Sequence, residues 1–188
     1  VSPARTAAIA LAIAAFTLLP VAIKARDLQL VDQREHSFTL ADLKGRPLVV
    51  TFVSAHCYDV CPLINAQIAS AVSQAAHTHL NVRFLTVTLD PERDSAHDMR
   101  ALANSFAADP QRWIVAGGTP DDVHGVMRAF HVTAQRGSDG YANAHTTFVY
   151  LVDSRGTLRT TMLASTDLSD RIIRALHAHW NNLTPGMQ

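Results

Sequence analysis

Apolar and polar positions divide the chain into one long apolar run and a series of short periodic segments. Thr6 to Ile23 carries no charge, with Arg5 before it and Lys24 and Arg26 after it. The run lies near the lower length limit for a membrane-spanning helix. It predicts an N-terminal anchor within residues 1–26, with a cleaved signal segment as the alternative. No small-x-small cleavage site follows it, which favours the anchor.

From residue 27 onward the pattern changes to short elements. Leu28–Val31 and Ser37–Leu40 alternate about the polar stretch Asp32–Glu35 and predict a β-hairpin. Leu48–Val53 is apolar on both faces apart from Thr51, the mark of a buried central strand. Leu63–His79 predicts an alanine-rich helix, and Val82–Leu89 the next parallel strand. Asp94 or Ser95 is placed to cap a helix running to about Ala108. Arg112–Ala116 predicts a strand, with Gly117-Gly118 as a break, and a helix starts at Thr119 or Asp121 and ends near Phe130. Residues Gly137–Gly140 predict a flexible loop. Strands at Thr146–Val152 and Thr157–Leu163 flank the turn Asp153–Gly156, and Asp167 caps a last helix to about Trp180.

A hairpin, a βαβ unit, a further strand and helix, a final antiparallel hairpin and a terminal helix make the thioredoxin plan. The predicted fold class is therefore α/β, thioredoxin-like, with an N-terminal β-hairpin and an N-terminal transmembrane helix. Residues 27–188 form its single folded domain.

Composition narrows the function. Sixteen basic and sixteen acidic residues give zero formal net charge, which argues against a nucleic-acid surface. The chain has two cysteines, too few for a disulfide framework. A lone stabilising disulfide is the plainer reading of such a pair, but so short a loop constrains the unfolded chain little.

Both cysteines lie where the central strand hands over to the first helix, in Thr51-Phe52-Val53-Ser54-Ala55-His56-Cys57-Tyr58-Asp59-Val60-Cys61-Pro62. Pro62 suits the first helical position, which makes Cys61 the expected N-cap and sets Cys57 about one turn earlier. That separation, roughly 6 Å between Cα atoms, suits a disulfide or a shared metal ion. A helix N-terminus favours thiolates. Two thiolates and an imidazole suit Cu(I), or zinc with a fourth ligand. Thioredoxin-like folds set the residue ahead of the final hairpin against the cysteine pair, usually a cis-proline. Here Tyr141-Ala142-Asn143-Ala144-His145-Thr146-Thr147 places His145 there. His56 adjoins Cys57 and is expected to point away. His77, His79, His177 and His179 read as solvated surface, and Asp59 as support for the first helical turn or tuning of a metal or partner.

The C-x-D-V-C-P motif after an apolar strand, the segment Thr88-Leu89-Asp90-Pro91-Glu92-Arg93-Asp94 and the late His145 together resemble the SCO/SenC family. The resemblance covers about Leu28 to Trp180, with the N-terminal anchor in addition. It implies a membrane-anchored thioredoxin fold that binds copper through Cys57, Cys61 and His145. It also implies a role in assembling the copper centre of cytochrome c oxidase, by copper delivery or by thiol-disulfide reduction of the client. The partner would be the copper-accepting subunit of a respiratory oxidase, and the location the inner membrane with the domain on the extracytoplasmic side. Cys57 and Cys61 would be the redox-active pair in any catalytic role. Tyr58 departs from the family's usual proline, which changes loop stiffness without removing a ligand. A thiol-disulfide oxidoreductase is the alternative, against which stands the spacing, since that chemistry usually runs on C-x-x-C. A thiol peroxidase would need an arginine near Cys57, and none lies close in sequence.

Overall fold

The computed structural model describes residues 21–22, 27–57, 60–136, 138, 140, 142–145 and 147–184; of residues 21–22, 143–145 and 182 the backbone alone is described. The strands are β1 (Val21–Ala22), β2 (Leu30–Asp32), β3 (Ser37–Phe38), β4 (Leu48–Val53), β5 (Arg83–Thr88), β6 (Trp113–Gly118), β7 (Ala134–Arg136), β8 (Ala142–His145), β9 (Phe148–Val152) and β10 (Thr157–Leu163). The helices are α1 (Val60–His77), α2 (Ala96–Ser105), α3 (Pro120–Ala129) and α4 (Leu168–Leu183).

The main sheet runs in the order β1-β10-β9-β4-β5-β6-β2-β3. Strands β4, β5 and β6 are parallel, and β9 lies antiparallel to β4. All six residues of β4 are buried, as a strand covered on both faces requires. Its alternation divides the core. Val49 and Val53 pack with Ile64 and Ile68 of α1, Met99 of α2 and Leu168 and Ile172 of α4. Val50 and Phe52 pack on the other face with Val123 and Val126 of α3 and with Phe130. Phe130 and Tyr150 meet edge to face at 5.1 Å, a favoured aromatic geometry.

The thioredoxin-like plan read from the sequence is present, with local differences. Ser95, not Asp94, caps α2: its hydroxyl accepts from the Asp98 N–H, and the Asp98 carboxylate accepts from the Ser95 N–H. Asp167 sits at the N-cap of α4 but accepts from the Ser165 hydroxyl and makes no cap bond. Gly117 and Gly118 do not break the sheet; they end β6 and pair with Val31 and Leu30 of β2. A Cβ on Gly118 would stand 3.0 Å from the Gln29 carbonyl oxygen, so the glycine permits the hairpin's close approach. The stretch expected as a flexible loop lies between β7 and β8, which form a second, two-stranded sheet. The final hairpin accordingly starts at Phe148.

Val21 and Ala22, the end of the apolar run, pair with Leu158 and Thr157 at the sheet edge. The rest of the expected transmembrane helix lies outside the described residues. Among the described residues, no helix is long and apolar enough to cross a membrane.

Candidate metal centre

Two parallel strands end side by side and set up the site. Val53 of β4 pairs with Thr88 of β5, so residues 54–57 and 89–94 leave the same edge of the sheet. Ligand sites in open α/β sheets lie beyond such carboxyl ends.

The first turn of α1 carries Cys61. The helix starts at Val60, so Cys61 is inside it and not its N-cap. Pro62 is still tolerated, because N–H groups in a helix's first turn have no intrahelical acceptor. Cys61 is 1 % exposed, while Cys57 is only half-buried, packed against the same core cluster. Neither cysteine is in a disulfide, and Cys57 is near enough to act on the Cys61 thiol electrostatically. Tyr58 and Asp59 lie outside the described residues.

The two sulfurs are not equivalent. Burial pushes the Cys61 thiol far above its ordinary range, and the hydrogen bond with Cys57 pushes the same way. A backbone hydrogen bond at Ser54 opposes the shift, and the charges of Cys57 and Asp94 add to it. At Cys61 burial works against the preference of a helix N-terminus for a thiolate. Desolvation of a buried charge outweighs a partial dipole charge.

This asymmetry predicts alkaline destabilisation. The folded state keeps the Cys61 proton, whereas the unfolded thiol loses it near pH 8.5. The contribution is complete below that pH and is lost above it, with a limiting slope of about 1.4 kcal/mol per pH unit. Tyr150 acts in the same sense from about pH 10, because burial pushes its phenol up to about 12. Thermal melts of reduced, metal-free protein should fall between pH 8 and 11. A flat melting temperature across that range would contradict the assignment.

Asp94 holds the cysteine loop. Its side chain is 0 % exposed. It accepts from the Thr88 hydroxyl at 2.5 Å, the Ala55 N–H at 3.0 Å and the Ser54 hydroxyl at 3.4 Å. The His56 Nδ1 lies 2.8 Å from Oδ1, the oxygen that also accepts from Ser54. His56 is therefore turned onto Asp94.

Asp90 holds the opposite wall. Its carboxylate lies 2.6 Å from Arg136 Nη1 and accepts from the Ala142 N–H at 3.2 Å. Arg136 also donates to Glu92 at 2.6 Å and to the Gly140 carbonyl at 3.0 Å. His145 ends β8, its backbone paired with Ala134; its side chain is outside the described ones. His77, His79, His177 and His179 are exposed, as expected.

The roles of Asp90, Asp94 and Arg136 were not read from the sequence. The available signal was a polar cluster directly after an otherwise apolar strand. Asp94 read equally well as a helix cap until Ser95 took that place.

A family model described as SCO1/SenC matches residues 20–181. An SCO2-like protein of Rickettsia felis is 27 % identical over 135 residues, 69 % of this chain and 64 % of that protein. The chain thus spans somewhat under two thirds of that relative's length. Among solved structures, a SCO1/SenC family lipoprotein from Bacillus anthracis is 25 % identical, with a TM-score of 0.75 over 85 % of this chain and 96 % of that one. Copper-bound ScoI of Bradyrhizobium japonicum is 27 % identical, with a TM-score of 0.67 over 78 % of this chain and 96 % of that one. The family match runs through both cysteines, the loop at residues 88–94 and His145, and on it the chain belongs to the SCO1/SenC family.

Proposed function

We propose that this protein binds copper through Cys57, Cys61 and His145 and serves the assembly of the copper centre of a respiratory oxidase. The observation that carries the reading is the pair of free thiols packed against one core cluster at the mouth of α1. Two soft donors held this close fit Cu(I). His145, on the strand that Asp90 ties to the same sheet edge, would supply the nitrogen donor that Cu(II) prefers. Copper in the Bradyrhizobium relative supports the same ion here. The cargo would pass from these ligands to the thiolates of the acceptor subunit.

Copper titration of the purified full chain tests this. Cys57→Ser or Cys61→Ser should abolish binding of both oxidation states. His145→Ala should weaken Cu(II) binding more than Cu(I) binding and remove most of the thiolate-to-Cu(II) absorption. An unchanged spectrum and affinity in His145→Ala would remove it from the ligand set.

The unequal thiols favour a second role, as reductant of the client's cysteines. The more accessible Cys57 would attack a client disulfide as thiolate, and Cys61 would resolve the mixed disulfide. The client gains two electrons and two protons, and this pair becomes a disulfide.

The apolar run ahead of β1 would hold the domain at the inner membrane, on its extracytoplasmic side, where a thiol pair can cycle. Protease added to spheroplasts should digest the domain; full protection would reject that orientation.

A further inference from the structure

Among the described residues, the main sheet and the small β7–β8 sheet share no ladder hydrogen bonds. Something else must fix β8, and with it the backbone of His145, relative to the cysteine pair. Two attachments lie on either side of His145. Beyond it, the Thr147 carbonyl accepts from the Ala164 N–H at 2.8 Å, and Phe148 enters the main sheet. Before it stands Asp90, at the end of β5.

Asp90 is 0 % exposed. One carboxylate oxygen meets Arg136, the last residue of β7, and the other meets the N–H of Ala142, the first residue of β8. Arg136 and Ala142 are themselves paired across the hairpin. A single carboxylate therefore clamps both strands at one rung. The Ala142 side chain is buried in the core face below, which fixes the rung from the other side. A buried carboxylate is costly when it loses its partner, so the clamp resists sliding or lifting of the hairpin. His145 lies three residues along β8, roughly 10 Å from the rung at strand rise.

The loop at residues 88–94 thus sends one buried carboxylate to each half of the site. Asp94 takes the cysteine loop and Asp90 takes the hairpin. We infer that Asp90, through its clamp on Arg136 and Ala142, is a positioning residue that sets His145 at its working distance from Cys57 and Cys61. The inference rests on the copper reading above. Asp90 touches no metal and acts through the strand.

The test is a double-mutant cycle on the full chain. Asp90→Asn keeps the shape and one acceptor for the Ala142 N–H but loses the ion pair. It should lower Cu(II) affinity by about 10- to 100-fold, the range for partners behind a ligand, and shift the thiolate-to-Cu(II) absorption. Cu(I) affinity should stay within about threefold, because the two sulfurs supply most of it. In a His145→Ala background, Asp90→Asn should cost no further Cu(II) affinity, since residues acting as one unit are non-additive. In metal-free protein, the amides of residues 142–145 should lose hydrogen-exchange protection in Asp90→Asn.

If Asp90→Asn fails to fold, Arg136→Gln breaks the same ion pair from its exposed side and should reproduce the selective Cu(II) loss. Equal Cu(II) losses with and without His145, or full Cu(II) binding in both clamp variants, would overturn the inference while leaving the copper reading intact. A wild-type chain that binds no copper would overturn both, and that outcome is recognised before any variant is made.

Discussion

Asp94→Ala is expected to lower the unfolding free energy by about 3–5 kcal/mol and to release the cysteine loop from the sheet. Four groups converge on that carboxylate: the Thr88 and Ser54 hydroxyls, the Ala55 N–H and the His56 ring. Thr88 is fully buried, so its hydroxyl gains no water in exchange. Each buried polar group left unpaired costs about 1–3 kcal/mol. Asp94→Asn should cost much less. Its amide oxygen would replace the oxygen facing Thr88 and Ala55, while its NH2 group would donate to His56 Nδ1. That arrangement requires the His56 proton to sit on Nε2. Urea unfolding of the reduced, metal-free protein measures both variants. An alanine variant within about 1 kcal/mol of the parent, with an unchanged denaturant slope, would show that Asp94 does not hold the loop.

The two cysteines should differ in alkylation rate by roughly 100-fold or more at pH 7, with Cys57 the faster. The thiolate is the nucleophile, so each unit of upward displacement of a thiol removes about tenfold in reactive species. Burial holds the Cys61 thiol well above its ordinary range, and its 1 % exposure also excludes the reagent. Cys57→Ser should therefore be nearly inert to iodoacetamide, while Cys61→Ser should react readily. Peptide mapping by mass spectrometry reads the two sites separately. Equal labelling would remove the ordering of attacking and resolving sulfurs on which the reductant reading depends. Asp94→Ala should raise labelling of Cys61, because an unanchored loop opens its cover.

The sequence alone determined the strand-and-helix order around the site, because its central elements are strongly periodic. Leu48–Val53 has one stable place, a strand buried on both faces. The cysteine spacing then forced both sulfurs to the mouth of α1 whatever the loop did. Tertiary structure decided what local pattern leaves open. β7 and β8 are short and carry little periodicity, so their pairing became visible only where Asp90 holds them. Asp94 satisfied a helix-cap rule on paper, but Ser95 meets it at the surface, and the neighbouring carboxylate turns inward to Thr88 and Ala55. The same cause separates the two thiols. Dipole and spacing are properties of the local chain, and they treat Cys57 and Cys61 alike. Desolvation depends on what packs over each sulfur, and the core closes over Cys61 while leaving Cys57 half-buried.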